Sequence, residues 1–238
     1  MEHAIVTGGA GGIGAAVVDR LRARGLRVTV LDLAEGPPKE GVDYRPVDVT
    51  DREQVDAAVT AAGESHGTVR HLVTSHGIRG GYVPALDLDA DLVRRVLDVH
   101  VVGTLLVAGA VVRGIRRTGG GGSVVTLSST TAYGGWERQA DYGVAKAAVR
   151  QLTQNLAMEW AALGVRVNAV APAHTLTPMV QELIDQGYDI AATEERIPLG
   201  RLCTPEEMAA SIEHLLLDAS FVTGVCLPVD GGWTSVGK

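Results

Sequence analysis

The sequence predicts an α/β fold in which a doubly wound parallel sheet of about seven strands is covered by helices on both faces. Apolar, strand-like runs alternate with runs of helical periodicity along the whole chain. The strand-like runs are rich in Val, Leu and Ile without strict alternation, which is typical of strands buried on both faces. Because the chain has 238 residues and is 46% hydrophobic, residues 1–238 are expected to form a single three-layer α/β/α domain.

Seven runs are predicted to be strands, at 3–7, 27–31, 44–47, 71–74, 123–128, 165–170 and 225–229. In a parallel sheet joined by right-handed crossovers, all strands end at the same edge, and ligands bind there. We therefore expect functional groups to cluster at these ends, where the sequence has Thr7, Asp32, Thr74, Ser128 and Val170.

Five runs of helical periodicity connect the strands, at 12–24, 52–65, 89–117, 141–163 and 205–217. The glycine-rich stretch 119–122 separates a predicted helix from a predicted strand. It is interpreted as a loop between elements and not as a linker between domains.

The chain is acidic, with a formal net charge of −7, which argues against nucleic acid or an anionic membrane as its main partner. The longest uncharged apolar stretch, 101–112, is too short to cross a bilayer. Cys203 and Cys226 are far apart and lack metal-ligand spacing, so no metal site is expected and a reducing cytoplasm is the simplest location. Because the first strand begins almost at Met1, no signal peptide is predicted.

Residues 7–14 form a glycine-rich segment, TGGAGGIG, between a predicted strand and a predicted helix. Glycines let the backbone approach a diphosphate, and the helix N-terminus offers free N–H groups and the positive end of its dipole. A glycine-rich loop alone is a weak signal, but the strand–loop–helix context is what a dinucleotide-binding turn requires.

Asp32 ends the second predicted strand and indicates which dinucleotide binds. Its carboxylate can accept hydrogen bonds from the adenosine ribose hydroxyls and would repel a 2′-phosphate. Leu33 and Ala34 follow it, and the glycine-rich loop contains no Arg or Lys. The sequence therefore favours NAD over NADP; the alternative interpretation of Asp32 is an ordinary cap at a strand end.

Tyr142 and Lys146 are four residues apart, and on a helix such residues share a face. A lysine ammonium beside a phenol is expected to lower the phenol pKa from about 10 toward the working pH. A phenol tuned in this way can carry a proton to or from an alcohol oxygen. Any long helix can contain this pair by chance, so its meaning depends on the glycine-rich loop and on Ser129, thirteen residues upstream of the tyrosine.

In these features the chain resembles the short-chain dehydrogenase/reductase family, whose common single-domain form has a Rossmann-like sheet. The resemblance covers nearly the whole chain. The matching positions are the glycine-rich loop, Asp32, Asp48 and Val49, the ordered trio Ser129, Tyr142 and Lys146, and the segments 167–172, 197–201, 204–207 and 229–233.

The resemblance implies reversible hydride transfer between NAD and a secondary alcohol or its ketone, with Tyr142 as the acid/base. Lys146 would stabilise the phenolate and bind the nicotinamide ribose, and Ser129 would hydrogen-bond the substrate oxygen. The implied cofactor-binding residues are Thr7, Gly8, Gly11, Gly12, Ile13, Gly14, Asp32, Leu33, Asp48, Val49, Ser75, His76, Gly77, Tyr142, Lys146, Pro172, Thr175 and Thr177.

Two histidines depart from the family pattern. His100 stands where the family usually has an asparagine that helps to hold a water of a proton relay. It could relay protons itself, which would make it a catalytic residue, or it could only fill a helix kink. His76 lies in the segment VTSHG, 73–77, where the family usually has Asn-Asn-Ala-Gly; it could face the nicotinamide or be structural. Thr74 and Ser75 could replace the hydrogen bonds of the missing asparagines.

The sequence gives candidate substrate-binding residues but does not identify a substrate. Candidate lining segments are 78–82, 130–138 and 174–188, and the short stretch 178–197 favours a modest substrate or an open cleft. The cationic side chains could meet a carboxylate or a polyol, or could simply be solvated, and the tryptophan could form an aromatic wall or a subunit contact. The candidate substrate residues are Ser129, Arg79, Thr131, Trp136, Arg138 and His174.

The predicted function is an NAD-dependent oxidoreductase acting on a small molecule such as a polyol, a sugar, a cyclic diol or a small hydroxy compound. One alternative is an NADPH-dependent ketoreductase of an acyl-carrier or polyketide-type biosynthetic pathway, which would favour basic residues after the second strand. Another is a non-catalytic NAD-binding sensor or scaffold, which would be expected to lose a member of the catalytic trio. Family members commonly pair through the two long helices, here 89–117 and 141–163, so a homo-oligomer, either a tetramer or a dimer, is expected.

Overall fold

The structure is a computed structural model that describes residues 1–236, with the backbone alone at position 179. Its centre is a seven-stranded parallel sheet in the order β3-β2-β1-β4-β5-β6-β7. Helices cover both of its faces, so the predicted Rossmann-like, doubly wound α/β architecture is confirmed. The strands are β1 (His3–Thr7), β2 (Arg27–Asp32), β3 (Val42–Pro46), β4 (Val69–Thr74), β5 (Gly122–Leu127), β6 (Val165–Pro172) and β7 (Cys226–Val229).

Two short helices that the sequence did not predict, α6 and α7, lie between β6 and α8. Each begins at a side-chain cap, Thr177 for α6 and Asp189 for α7, but neither is long enough to repeat an apolar period clearly. The helices are α1 (Gly12–Ala23), α2 (Arg52–His66), α3 (Ala90–Leu97), α4 (Gly103–Thr118), α5 (Ala140–Trp160), α6 (Pro178–Asp185), α7 (Ile190–Arg196) and α8 (Pro205–Glu213).

The helix predicted at 89–117 is interrupted by a π-helical turn, Asp98–Val102, which joins α3 to α4. In this turn the Gly103 N–H donates to the carbonyl of Asp98, five residues back. Such turns are frequent at functional sites because they change which side chains the helix presents to its neighbours. Here the turn contains His100, whose side chain is buried.

The core lies on both faces of the sheet, because successive residues of a strand point to opposite sides. Ile5 and Leu72 pack in the core shared with α2, α4 and α5, whereas their neighbours Val6 and Val73 pack beneath α1 and α8. All four side chains are fully buried. Two-sided burial is therefore the physical reason for the apolar strand sequences without alternation.

The segment Ala90–Thr118 is long and apolar enough to pass a test for a membrane span based on length and composition, because it contains an 18-residue window with a mean hydropathy of 1.8. In the fold, however, 56% of its most apolar window is buried. The core helix of a folded domain passes the same test, so this segment is weak support for a membrane span.

Candidate active site

The glycine-rich loop turns from β1 into α1 so tightly that side chains would not fit at two of its positions. Gly8 has a φ of +65°, and a Cβ there would lie 2.7 Å from the backbone nitrogen of His76. A Cβ at Gly14 would overlap the carbonyl group of Gly8. Gly11, which has no side chain to offer a cap, precedes α1, so the first N–H groups of the helix remain available to an anion. These features fit the diphosphate of a dinucleotide.

Asp32 lies beside this loop at the carboxyl end of β2. Its carboxylate accepts hydrogen bonds from the backbone N–H of Ala10 at 3.0 Å and of Ala34 at 3.2 Å. It therefore caps the strand end and holds the glycine-rich loop in place. Binding of a dinucleotide ribose would be a second role of this carboxylate, besides these two hydrogen bonds. Leu33, which follows it, is 76% exposed and provides no cation for a 2′-phosphate.

Asp48 and Val49 follow β3 at the same edge of the sheet. The Asp48 carboxylate accepts hydrogen bonds from the backbone N–H and the hydroxyl of Thr50, at 2.9 and 2.7 Å. Val49 is buried and would contact a Cβ added at Gly103, the first residue of α4. Their predicted role beside the adenine remains a prediction.

A cavity of about 690 Å³ opens at the carboxyl ends of β4, β5 and β6. Its lining combines most of the predicted cofactor, catalytic and substrate residues in one space. The predicted residues that line it are Gly11, Gly12, Ile13, Ser75, His76, Gly77, Arg79, His100, Ser129, Thr131, Trp136, Arg138, Tyr142, Lys146, Pro172, His174, Thr175 and Thr177. The predicted residues outside its lining are Thr7, Gly8, Gly14, Asp32, Leu33, Asp48 and Val49.

Ser129, Tyr142 and Lys146 lie together on this cavity. The Lys146 Nζ is 5.5 Å from the centroid of the Tyr142 ring and donates a hydrogen bond to the carbonyl of Leu127 at 2.9 Å. The Ser128 hydroxyl donates to the Lys146 carbonyl at 2.9 Å. The Ser129 hydroxyl accepts from the Thr131 N–H at 3.2 Å and lies close enough to the phenol to influence its pKa. The geometry thus supports the choice of Ser129 over its neighbour.

Burial, and not Lys146, dominates the acidity of the phenol. Burial raises the pKa of Tyr142 to about 12, and the hydrogen bond with Ser129 opposes this shift only in part. Burial also lowers the pKa of Lys146 to about 7, so the amine is only partly charged near neutrality. The expected lowering of the Tyr142 pKa is therefore wrong for this structure, in which the amine is held on the Leu127 carbonyl.

His100 packs between the cavity and the helix turn that contains it. Its ring is 3% exposed, lies edge-on to Tyr142 at 5.4 Å, and places Nε2 2.9 Å from the carbonyl oxygen of Ile78, to which it donates. Burial, with a smaller contribution from the Lys146 charge, lowers the pKa of His100 to about 3. The imidazole is thus neutral at physiological pH, which favours packing of the turn; its predicted catalytic role remains a prediction.

His76 fastens the end of β1 to the π-helical turn. Its Nδ1 accepts a hydrogen bond from the Thr7 hydroxyl at 2.5 Å, and its Nε2–H donates to the Val99 carbonyl at 3.1 Å. Burial lowers its pKa to about 4. The Thr74 hydroxyl has no hydrogen-bond partner within residues 1–236, so it does not replace the missing asparagine. The Ser75 backbone N–H bonds the Thr7 carbonyl at 3.2 Å, and the side-chain connection is made by His76.

The segment after β6 lies against the glycine-rich loop. A Cβ added at Gly12 would lie 3.6 Å from Cγ2 of Thr177, the N-cap residue of α6. The buried Thr175 donates from its hydroxyl to the Ala173 carbonyl at 3.3 Å, just after Pro172 at the end of β6. This placement is compatible with the predicted contacts of this segment with the nicotinamide half of the cofactor.

The predicted substrate residues differ in their surroundings. Arg79 and Arg138 are exposed at the rim, and Arg138 adopts a φ of +60°. Thr131 is buried, with a hydroxyl that has no hydrogen-bond partner in the described part of the chain. Trp136 stacks on Trp233 with ring centroids 5.0 Å apart. The position of Trp233 was not predicted, because it lies nearly a hundred residues farther along the chain.

Asp141 is a second site residue that the sequence did not single out. It is 1% exposed, and its two carboxylate oxygens accept from the backbone N–H groups of Gly81 and Tyr142, each at 2.7 Å. It therefore joins the loop that contains Arg79 to the first turn of α5. Its place directly before Tyr142 was the only sequence signal available.

The chain is similar to known oxidoreductases in both sequence and fold. The family model described as "Enoyl-(Acyl carrier protein) reductase" matches residues 8–234. A similar curated relative is the cis-4-hydroxycyclohexanecarboxylate dehydrogenase of Sinomonas cyclohexanicum, 39% identical over 98% of this chain and 96% of the relative.

Two solved structures show how closely the fold is shared. Ligand-free aldohexose dehydrogenase of Thermoplasma acidophilum has a TM-score of 0.92 and 30% identity, covering 99% of this chain and 95% of that one. The structure of ElxO with NADP bound has a TM-score of 0.93 and 26% identity, covering 99% of both chains. Together with the geometry of the cavity, these matches show that the chain belongs to the short-chain dehydrogenase/reductase family and is an NAD(P)-dependent oxidoreductase that acts on alcohol groups.

Proposed function

We propose that the protein transfers a hydride reversibly between NAD and a secondary alcohol on a small, preferably cyclic, molecule, with Tyr142 as the acid/base. The observation that carries this proposal is the common cavity in which Ser129, Tyr142 and Lys146 lie beside the glycine-rich loop. Bound NAD would supply the hydride acceptor for alcohol oxidation and, in its reduced form, the hydride for ketone reduction.

The burial of Tyr142 directly suits its proposed role as a proton donor in ketone reduction. A pKa of about 12 keeps the phenol protonated near neutrality, ready to donate to the oxygen of a ketone that is being reduced. In alcohol oxidation the phenol must first lose this proton, and the Lys146 amine, with a pKa of about 7, stabilises the phenolate when it is charged. Ser129 donates a hydrogen bond to the substrate oxygen.

The preference for NAD rests on Asp32 and Leu33. A carboxylate beside the adenosine ribose repels a 2′-phosphate, and the exposed leucine after it offers no compensating charge. The ElxO structure has NADP bound, so the shared fold does not by itself select NAD, and a preference for NAD must come from residues of this chain.

The cyclic substrate class is supported by the name of the relative from Sinomonas cyclohexanicum and by an aromatic wall on the cavity. We further propose a cytoplasmic homo-oligomer, a tetramer or a dimer. Its contact would use the long helices, on which Val102, Leu105 and Val144 are 40%, 43% and 58% exposed.

The deciding experiment follows reduced-nicotinamide absorbance with NAD and NADP in parallel, against cyclic alcohols, cyclic diols and polyols. Reduction of NAD by a cyclic alcohol supports the proposal. Turnover only with NADPH and an acyl ketone would favour the biosynthetic ketoreductase instead. Tight NAD binding without turnover of any alcohol would favour the sensor.

A further inference from the structure

An aromatic and cationic wall, which we define as Trp136, His174, Tyr188, Arg196 and Trp233, lines part of the cavity. Trp136 and Trp233 are stacked, and the His174 ring lies 5.5 Å from Trp233 and 5.9 Å from Trp136. The Arg196 guanidinium carbon lies 3.8 Å from the Trp233 ring centroid. The wall thus combines aromatic surface with one fixed positive charge.

His174 contributes a polar atom to this surface. Its ring stacks on Tyr188 at 5.9 Å, and the Tyr188 hydroxyl lies 3.2 Å from Nε2 of His174 and 2.8 Å from the Thr193 hydroxyl. When the Tyr188 hydroxyl donates to Nε2, the proton of the neutral imidazole lies on Nδ1. The buried Nδ1 has no hydrogen-bond partner in the described part of the chain. In the arrangement in which the Thr193 hydroxyl donates to Tyr188 and not to the Asp189 carbonyl at 3.5 Å, the Nδ1–H is a donor for a ligand on the wall.

Arg196 carries the charge of the wall, because burial, helped by the nearby guanidinium, lowers the pKa of His174 and keeps its ring neutral. Within residues 1–236, Arg196 forms no ion pair with a carboxylate. The two acidic groups on the cavity do not neutralise it. Both oxygens of Asp141 accept backbone bonds, and Glu137 lies 3.8 Å from Arg138.

We propose that this wall recognises a cyclic alcohol that carries a carboxylate, with the ring against the aromatic surface and the carboxylate on Arg196 and the His174 Nδ1–H. A charged acceptor satisfies both donors at once, and a planar guanidinium is well suited to a carboxylate. A polyol would have to replace the hydration of many hydroxyls, and the aromatic rings offer few partners for them. The inference rests on the proposed function but concerns binding, so the two can be tested separately.

The binding test uses the tryptophan fluorescence of the full chain with NAD present, because Trp136 and Trp233 lie on the proposed site. Cyclohexanecarboxylate is titrated in parallel with cyclohexanol and with acetate. Cyclohexanecarboxylate is expected to bind at least roughly tenfold more tightly than either, since it alone presents both the ring and the charge. Equal binding of cyclohexanol would overturn the proposal, whether or not any alcohol is turned over.

The variant test compares kcat/KM for 4-hydroxycyclohexanecarboxylate with kcat/KM for its methyl ester. In Arg196→Gln, the ratio of acid to ester should fall roughly 10- to 100-fold, the range for losing a charge-assisted hydrogen bond. Arg196→Lys should restore part of the ratio. Because the ratio is internal, partial loss of folded enzyme does not alter it.

Glu195→Gln is the matched control, since Glu195 is exposed on the same helix and outside the cavity lining, and its substitution also removes one charge, of the opposite sign. It should leave the ratio within about threefold of the wild type. A ratio that falls in Arg79→Gln or Arg138→Gln but not in Arg196→Gln would overturn the assignment. Absence of turnover together with preferential binding of cyclohexanecarboxylate would contradict the proposed function and leave this inference supported.

Discussion

Two regions, one beside the cavity and one on its lining, are built in different ways. The glycine-rich loop and Asp32 are close in sequence and are held by backbone geometry and short hydrogen bonds. The aromatic and cationic wall joins Trp136, His174 and Trp233, which come from three distant parts of the chain and meet only through ring packing. Backbone geometry tolerates little change, whereas ring packing tolerates substitution of one flat or apolar group by another. The first region is therefore suited to holding the proposed cofactor in one position, and the second could change with the proposed substrate.

The strongest test of this contrast is Tyr142→Phe, which removes the proposed proton-transfer group and leaves both regions in place. Activity should fall roughly 100- to 10,000-fold, because general acid–base catalysis contributes that much. NAD binding, followed by fluorescence titration, should remain. Tyr44→Phe, in β3 and outside the cavity lining, is the control for a lost phenol oxygen. Activity within tenfold of the wild type in Tyr142→Phe would rule out its acid/base role.

Asp32→Ser tests the cofactor region alone. The ratio of kcat/KM with NAD to that with NADP should fall roughly 10- to 100-fold, because the variant loses a charged acceptor for the ribose and the repulsion of a 2′-phosphate. Glu35→Gln removes an exposed carboxylate three residues away and serves as the control. An unchanged ratio in Asp32→Ser would mean that this carboxylate only fastens the loop.

Acid should destabilise the fold around the buried His76 and His100, which meet at the π-helical turn. The pKa values of His100 and His76, about 3 and about 4, lie below the unfolded value near 6.5, so the unfolded chain binds more protons between these limits. The free energy of unfolding should therefore fall as the pH drops below about 6.5, by about 2 kcal/mol per buried histidine at pH 5.

Urea unfolding from pH 7 to about pH 5 measures this effect. His100→Asn should make the pH dependence shallower by about one proton. His214→Asn, at an exposed histidine, should not do so. Equal slopes for wild type and His100→Asn would contradict a neutral, buried His100.

Asp141→Asn tests the connection between the loop that contains Gly81 and helix α5, which contains Tyr142. An amide has one acceptor oxygen, so the N–H of either Gly81 or Tyr142 loses its partner. KM for the alcohol should rise a few-fold, and the free energy of unfolding should fall by about 1–3 kcal/mol. Asp91→Asn, at an exposed carboxylate in α3, should change neither quantity measurably. A changed stability with an unchanged KM would show that Asp141 acts on the fold alone.

The elements of the fold that could be predicted from sequence are those whose structure is determined by residues close together in the chain. The strands follow from apolar composition, and the turn into α1 follows from Gly8 and Gly14, at which a Cβ would overlap the backbone. The π-helical turn accepts a hydrogen bond at the Val99 carbonyl from His76, twenty-three residues away, and no periodicity reveals this contact. Helices α6 and α7 are too short to show a period.

The site divides in the same way. The spacing of Ser129, Tyr142 and Lys146 can be read along the chain, and the structure brings these residues together. The prediction that Lys146 lowers the pKa of Tyr142 was wrong, because desolvation depends on all the groups that surround the phenol and not on one neighbour four residues away. Arg196 and Trp233 could not be paired from sequence, because Arg196 belongs to no motif and the segment 229–233, which ends at Trp233, does not reveal what its ring contacts.

Gly77 and His100 occupy adjoining space, since a Cβ added at Gly77 would overlap the imidazole ring. The effect of a substitution at one position therefore depends on the residue present at the other. An alanine at 77 should be harmful beside the histidine and far better tolerated once position 100 holds the smaller asparagine. Such epistasis fixes the order in which the two positions can change. Position 100 must be substituted first, and a side chain at position 77 is tolerated only afterwards.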